Sequence, residues 1–591
     1  MGYDRSAAVT HITQDSLSKN RWPVDNEPSS QFPIFTRANI GEVFPEVVKP
    51  FSWTLWGIPH SEPGWRQALF NLGAFDLEEF TPDRMEMLSV FGGYGYLNVS
   101  ASRIFGARAP GLSPEAIDAS FFGEQPDVPP YAEEIGHSSA KHEAQLADTI
   151  TWVLSSPSMP ELLETRSKLI KLREDRPALS QLSNKELFQR CLNICEQQWE
   201  PLWIRHIMAT YHSMIPSGVI AQICDAVGAS DLCADILTVD GEVDSAFPAK
   251  RLWELGRLVR ASERLSQYLD DVNGTTMAAI ATDPNPDCQE FRFKFQIFID
   301  EFGFRGPNEW EVASKCWELD PTAPLSALAI MARAEDSASP DARLASRREN
   351  KKAAIAEVQS QLQEDAELLG QFNAALTAAG TFFAARERTR TNCAMLTHEM
   401  RMPMWELGAR YASEKVFKAP EDFSMLMVSE WEQLLDNTID AQEVINQRKI
   451  ESEKLANLEP PFIVDSIVPP MGEWLERDTQ GLSSTQIING QPGCAGTYKG
   501  RARVITDPSE PGDLQPNDVL VARHTDPSWT PLFSAVSAVV VDVGATISHA
   551  VIVARELGVP CVTSATNATS LIPDGALIEV NGSSGTVTIL E

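Results

Sequence analysis

The chain lacks any run of about 18 uninterrupted apolar residues, the minimum for a helix that crosses a bilayer, so no membrane span is expected. Met1 to Lys19 contains no apolar stretch of the kind a secretory signal needs, and the cytoplasm is the expected compartment. Positive charge is scarce: 49 Lys and Arg stand against 82 Asp and Glu, a formal net charge of −33 over 591 residues. Such a field repels phosphate backbones and anionic lipid, so neither nucleic acid nor membrane is an expected partner. Solubility alone also accounts for the acidity. An anionic substrate stays open, because a few local arginines can reverse the field inside a cleft.

Cysteines are few and scattered. Only Cys191 and Cys195 lie close in sequence, at helical i,i+4 spacing, and no second Cys/His pair follows at zinc spacing. Reduced, buried thiols and no metal site are the expectation. No internal repeat is present. Also missing is a Gly-x-x-x-x-Gly-Lys-[Ser/Thr] loop, so no nucleotide cradle is expected in this chain.

What is present divides the chain by texture. A chain of 591 residues exceeds one hydrophobic core and is expected to form two to four domains. The stretch up to about Pro130 is rich in aromatics, Pro and Gly, as in Phe91-Gly-Gly-Tyr-Gly-Tyr-Leu-Asn98, and predicts short strands and short helices. From about Ala140 to Leu458 the apolar residues recur with helical period. One long charged helix is predicted over 342–378, and three more over 382–414, 421–435 and 439–457. Pro403 is expected to kink or interrupt the first of the three. The polar segment 476–493 reads as a linker. After it come short β-branched runs, Ala502–Ile505, Val519–Ala522, Ala538–Asp542, Pro560–Thr563 and Ala576–Val580, separated by turn residues. One helix, from about His549 to Leu557, is stopped by Gly558 and Pro560. The expected architecture is α+β: a large, mostly helical domain over 1–475, the linker, and a small β/α domain over 494–591.

The segment Asp542-Val-Gly-Ala-Thr-Ile-Ser-His-Ala-Val-Ile-Val-Ala-Arg-Glu-Leu-Gly-Val-Pro560 concentrates the chemistry. A strand ends, a loop with Gly544 follows, and His549 opens a helix, exposed at the rim of a sheet. Neutral imidazole is a good nucleophile near pH 7, with an unperturbed pKa of about 6.5. Free backbone N–H groups and the helix dipole favour a bound dianion there. Ser548 and Thr546 offer hydroxyls either to phosphoryl oxygens or to the helix N-terminus. By spacing alone, a histidine that merely caps a helix is the favoured reading.

The stretch Gly544 to Pro560 resembles the phosphohistidine motif of the swivelling domain of PEP-utilising enzymes, the superfamily of pyruvate phosphate dikinase, phosphoenolpyruvate synthase and rifampicin phosphotransferase. Thr525-Asp-Pro-Ser-Trp-Thr-Pro-Leu-Phe533 resembles a second hallmark of that domain, and Gly500-Arg-Ala-Arg-Val504 its opening strand. Ala545 departs from the pattern, which usually has glycine there. The resemblance implies that His549 carries a phosphoryl group as a covalent intermediate. The large preceding region is similar to the acceptor domain of rifampicin phosphotransferase, through Thr36-Arg-Ala-Asn-Ile-Gly-Glu-Val-Phe-Pro45, Gly303-Phe-Arg-Gly-Pro-Asn-Glu309 with Trp317 and Asp320-Pro321, and Arg386-Glu-Arg-Thr-Arg390.

In such a domain Arg305, Arg386, Arg390 and Arg401 are candidate phosphate clamps, because guanidinium matches phosphate oxygens in bidentate fashion. Surface ion pairing is the alternative. His398 is a candidate base for an acceptor hydroxyl, or else a structural histidine. Trp53, Trp56, Phe91, Tyr94 and Tyr96 are candidates to line a pocket for a flat acceptor, or else core. The chain also resembles the His-bearing subunits of two-component aryl phosphotransferases, those that act on phenol or on hydroxyphenyl ketones such as hydroxyacetophenone and acetovanillone. That likeness implies a phenolic acceptor and a separate ATP-grasp subunit binding ATP and Mg2+, with AMP, phosphate and aryl phosphate as products. The same chemistry on a non-phenolic acceptor, such as an antibiotic hydroxyl, and a non-catalytic phospho-relay are the alternatives.

Overall fold

The computed structural model describes residues 3–122, 128–238, 244, 247–476, 487–544 and 548–590. The chain is α+β, and by internal contacts it falls into two compact units. One comprises Met1–Pro216, Trp310–Ser314 and Arg388–Arg477; the other Ser217–Glu309, Lys315–Glu387 and Asp478–Glu591. The 494–591 segment thus groups with part of the helical region. Two unit boundaries fall inside long helices, Asn184–Ala226 and Ala366–Ser413.

In the first unit a small antiparallel sheet runs in the order Leu88–Phe91, Tyr94–Asn98, Ile34–Thr36, Ile463–Asp465. Every residue of Leu88–Phe91 and Tyr94–Asn98 is buried, which their aromatic and β-branched content favours. Helical boundaries depart from expectation. The predicted 342–378 helix is two, Pro340–Gln361 and Ala366–Ser413. Asp365 explains the break: its carboxylate accepts the Leu368 N–H at 3.0 Å and caps the second helix. Pro403 lies within Ala366–Ser413 and does not end it. The 421–435 segment opens with a 3-10 turn, Pro420–Met425, before the helix Val428–Leu435, and the last helix is Ala441–Ala456.

In the second unit an eight-stranded sheet has the order Ile487–Asn489, Thr586–Ile589, Leu577–Asn581, Thr497–Ile505, Val519–Ala522, Ala538–Val541, Cys561–Thr563, Gln491–Cys494. Its centre is parallel, Val519–Ala522 lying between Thr497–Ile505 and Ala538–Val541. The central strands are fully buried and alternate strictly. Leu520, Ala522, Val539 and Val541 enter one apolar core. Val519, Val521, Ala538 and Val540 enter another on the opposite face. Such two-sided burial explains their unbroken apolar runs. The core on the first face also takes in Ala327 and Ile330, and Ala550, Val553, Ala554 and Leu557 of the helix His549–Leu557.

The segment expected as a linker, 476–493, is corrected in its second half. Ile487–Asn489 and Gln491–Cys494 are strands at opposite edges of this sheet, paired to Thr586–Ile589 and Cys561–Thr563. The partners lie about 100 and about 70 residues later, so local composition carried no sign of the pairing. Residues 477–486 lie outside those described.

Candidate functional site

His549 is the first residue of its helix. Ser548 is the N-cap, its hydroxyl accepting the Val551 N–H at 3.3 Å. Gly558, with φ of 67°, ends the helix in the left-handed conformation. Thr546, expected to bind phosphate, lies outside the described residues.

The imidazole is not exposed at the rim, as its place at a strand-to-helix loop suggested: it is 4 % exposed. The Thr525–Phe533 segment accounts for this. Thr525 Oγ1 lies 3.2 Å from Nδ1, Thr530 Oγ1 lies 3.3 Å from Nε2, and the Phe533 ring stands edge-on at 6.0 Å. Asp526 shapes that segment. One carboxylate oxygen accepts the Ser528 N–H at 2.8 Å and starts the 3-10 turn Pro527–Trp529. The other accepts the Asn308 N–H at 2.9 Å. Burial pushes the Asp526 carboxyl up to about 6, and the Glu309 charge adds to this. The segment is visible in the sequence as a motif, but the contacts of Thr525 and Thr530 with the imidazole, and the shaping role of Asp526, are not, since only the fold brings them to a residue some 20 positions later.

The other candidates are placed as follows. Arg305 is 2 % exposed and already neutralised: its Nη1 donates to both Glu309 oxygens at 3.0 Å, and Nη2 donates to the Asp244 carbonyl at 3.3 Å. Arg401 is buried, with Nη2 donating to the Glu311 carbonyl at 2.9 Å. Arg386 and Arg390 are half-buried, four residues apart on Ala366–Ser413. His398, on the same helix, is fully buried. Trp53 packs against Phe44 and Trp56 in the core. The Tyr94 and Tyr96 hydroxyls donate to main-chain carbonyls, of Leu455 at 2.9 Å and of Pro461 at 2.8 Å. All three aromatics are buried packing residues here; of the same group, Phe91 lines a cavity. Trp53, Tyr94, Tyr96, Arg390 and His398 belong to the first unit, and Arg305, Arg386, Ser548 and His549 to the second.

Among the described residues, Asp76, Glu79 and His142 have metal-ligand character and lie within 4.8 Å of one another. Lys141 already holds Asp76 at 2.5 Å and Arg108 holds Glu79 at 2.6 Å, so the two carboxylates are neutralised without an ion.

Residues 514–585, which include His549 and the Thr525–Phe533 segment over it, match the mobile domain of PEP-utilising enzymes. Residues 205–387 match the fourth domain of rifampicin phosphotransferase. Both matches are to parts of PEP-utilising enzymes, in line with the resemblance carried by the segment around His549. Curated relatives agree. The prodigiosin synthesizing transferase PigC of Serratia marcescens is 31 % identical over 330 residues, 52 % of this chain and 34 % of that protein. The rifampicin phosphotransferase of Streptomyces sviceus is 27 % identical over 308 residues, 52 % of this chain and 35 % of that protein. That of Bacillus subtilis is 39 % identical over 149 residues, 25 % of this chain and 16 % of that protein. The chain thus spans about a third or less of the length of these relatives. Among the described residues, no helix is long and apolar enough to cross a membrane.

Proposed function

We propose that this chain takes a phosphoryl group onto His549 and passes it to the hydroxyl of a phenolic acceptor, with ATP and Mg2+ bound by a separate ATP-grasp subunit and with aryl phosphate, AMP and phosphate as products. The observation that carries this is the setting of the imidazole. Both ring nitrogens face neutral hydroxyls, of Thr525 and Thr530. Such neighbours orient the ring and bring it no fixed charge. Its place at the first residue of the helix puts the positive end of the dipole nearby, which favours a phosphoryl dianion. Ser548 supports the site indirectly, by capping that helix.

At 4 % exposure the ring must be uncovered before it meets a donor or an acceptor. Carriage of the group by a covalent intermediate divides one difficult transfer into two easier ones. The family match supports a phosphotransferase. The likeness to two-component aryl phosphotransferases supports a phenol. Relatives named rifampicin phosphotransferase favour a second reading, an antibiotic hydroxyl as acceptor.

The test supplies the chain with ATP, Mg2+ and an ATP-grasp partner. Wild-type protein should gain acid-labile phosphate on His549 and form aryl phosphate, and His549→Ala should do neither. Turnover by His549→Ala would rule the mechanism out, and AMP formation by the chain alone would rule out a separate donor subunit. Parallel assays with phenols and rifampicin decide the acceptor.

A further inference from the structure

A cavity of about 330 Å³ lies within the first unit, walled by Arg21, Asp25, Phe91, Gly92 and the segment Ser466–Met471. It is a built feature. Gly92 and Gly93, with φ of 54° and 80°, turn the chain between Leu88–Phe91 and Tyr94–Asn98, a left-handed pair that glycine adopts readily. A side chain at Gly92 would collide with the Trp474 ring. Trp474 in turn donates its indole N–H to the Pro469 carbonyl at 2.9 Å, and the Ser466 N–H donates to the Pro33 carbonyl at 2.9 Å. The outer wall is therefore pinned at both ends.

Asp25 is 3 % exposed in the inner wall, its Oδ1 accepting the Gly93 N–H at 2.8 Å. Burial pushes its carboxyl up to about 7; Glu451 raises it further and Arg21 lowers it. Arg21 is committed to Asp15 and Glu27, each at 2.7 Å. The cavity thus offers one aromatic wall, an apolar segment that includes Val468, and one carboxyl that neither a lysine nor an arginine holds. The volume fits a single ring and lies at the lower end of the usual range for small-molecule sites, about 300–1,000 Å³.

Resting on the reading of His549 above, we propose that this cavity is the acceptor site and takes a single-ring phenol, with Asp25 as the general base for its hydroxyl. The phenolic proton passes to the Asp25 carboxylate as the oxygen forms its bond to phosphorus. The N–P bond breaks, and its electron pair returns to the ring. Protonated on its other nitrogen, the ring leaves as neutral imidazole, and the product is an aryl phosphate dianion.

Calorimetric titration of the full chain with 4-hydroxyacetophenone tests the site without any phosphoryl transfer. Wild-type protein should bind, and Val468→Trp, which fills the cavity from a half-buried position, should weaken binding at least about tenfold. Asp25→Asn should bind within about threefold of wild type yet slow single-turnover transfer from phosphorylated His549 about 100-fold and lose the rising limb of the pH–rate profile. Unchanged binding by Val468→Trp, or a wild-type rate from Asp25→Asn, overturns the proposal; if Asp25→Asn does not fold, the Val468→Trp result decides alone. If wild-type protein binds no phenol but passes phosphate from His549 to another hydroxyl, the cavity assignment fails and the reading of His549 stands. If phenol binds here and His549 takes no phosphate, the reverse holds.

Discussion

The hydroxyl of Thr530 stands 3.3 Å from Nε2 of His549, and Phe533, three residues on, turns the edge of its ring to the same imidazole. One short segment therefore both orients the candidate nucleophile and covers it. Diethylpyrocarbonate should modify His549 at least about tenfold more slowly than the exposed His11, because acylation needs a solvent-reached nitrogen. Peptide mapping of the modified protein reads both rates. Equal rates would mean that the ring is open in solution.

Replacing either threonine by valine keeps the shape and removes the hydroxyl. Thr525→Val and Thr530→Val should each slow phosphorylation of His549 by phosphoramidate about tenfold, since the ring then loses the bond that sets its tautomer and orientation. Each should also cost about 0.5–1.5 kcal/mol of stability, the usual worth of one intramolecular hydrogen bond. Normal rates in both variants would leave the hydroxyls with no role in orienting the ring.

Arg305 separates a structural cation from a phosphate clamp. Its guanidinium and the Glu309 carboxylate are both almost wholly buried. Arg305→Met removes the cation that donates to both oxygens of that buried carboxylate and should destabilise the protein by about 3–5 kcal/mol in urea unfolding. A small loss of stability with a large loss of transfer would instead assign Arg305 to the phosphoryl group.

Asp526 gives a pH signature. Its folded carboxyl titrates near 6, above the ordinary 3.8, so between these values the folded state holds the extra proton. Stability from this group is present at low pH and lost as pH rises through about 6. Lowering the pH from 7 to 5 should return about 1 kcal/mol, and Asp526→Asn should remove that part of the slope. Urea midpoints of both proteins at the two pH values check it, and equal slopes would contradict it.

Much of the second unit was legible in the sequence. The five apolar runs that predicted strands correspond to strands, and the helix starts at His549 and stops at Gly558, because these features depend on neighbours a few residues apart. Residues whose partners are distant were not legible. Ile487–Asn489 and Gln491–Cys494 read as linker because their strand partners are remote in sequence. Trp53, Tyr94 and Tyr96 were candidates for a pocket with core packing favoured for each, and burial in the fold makes them core, since aromatic content is the same in either. Asp25, the buried acid of the cavity, gave no signal at all, because only the fold takes it out of water.

By itself the sequence determined the resemblance to PEP-utilising enzymes, the α+β class and the imidazole at a helix start, all of which are encoded by residue type over short spacings. The tertiary structure alone decided that two threonines face that imidazole, that Phe533 covers it, that Glu309 neutralises Arg305, and that Asp25 backs a cavity. The physical reason is that burial and pairing belong to atoms brought together from far along the chain, and a free energy of desolvation has no meaning until they meet.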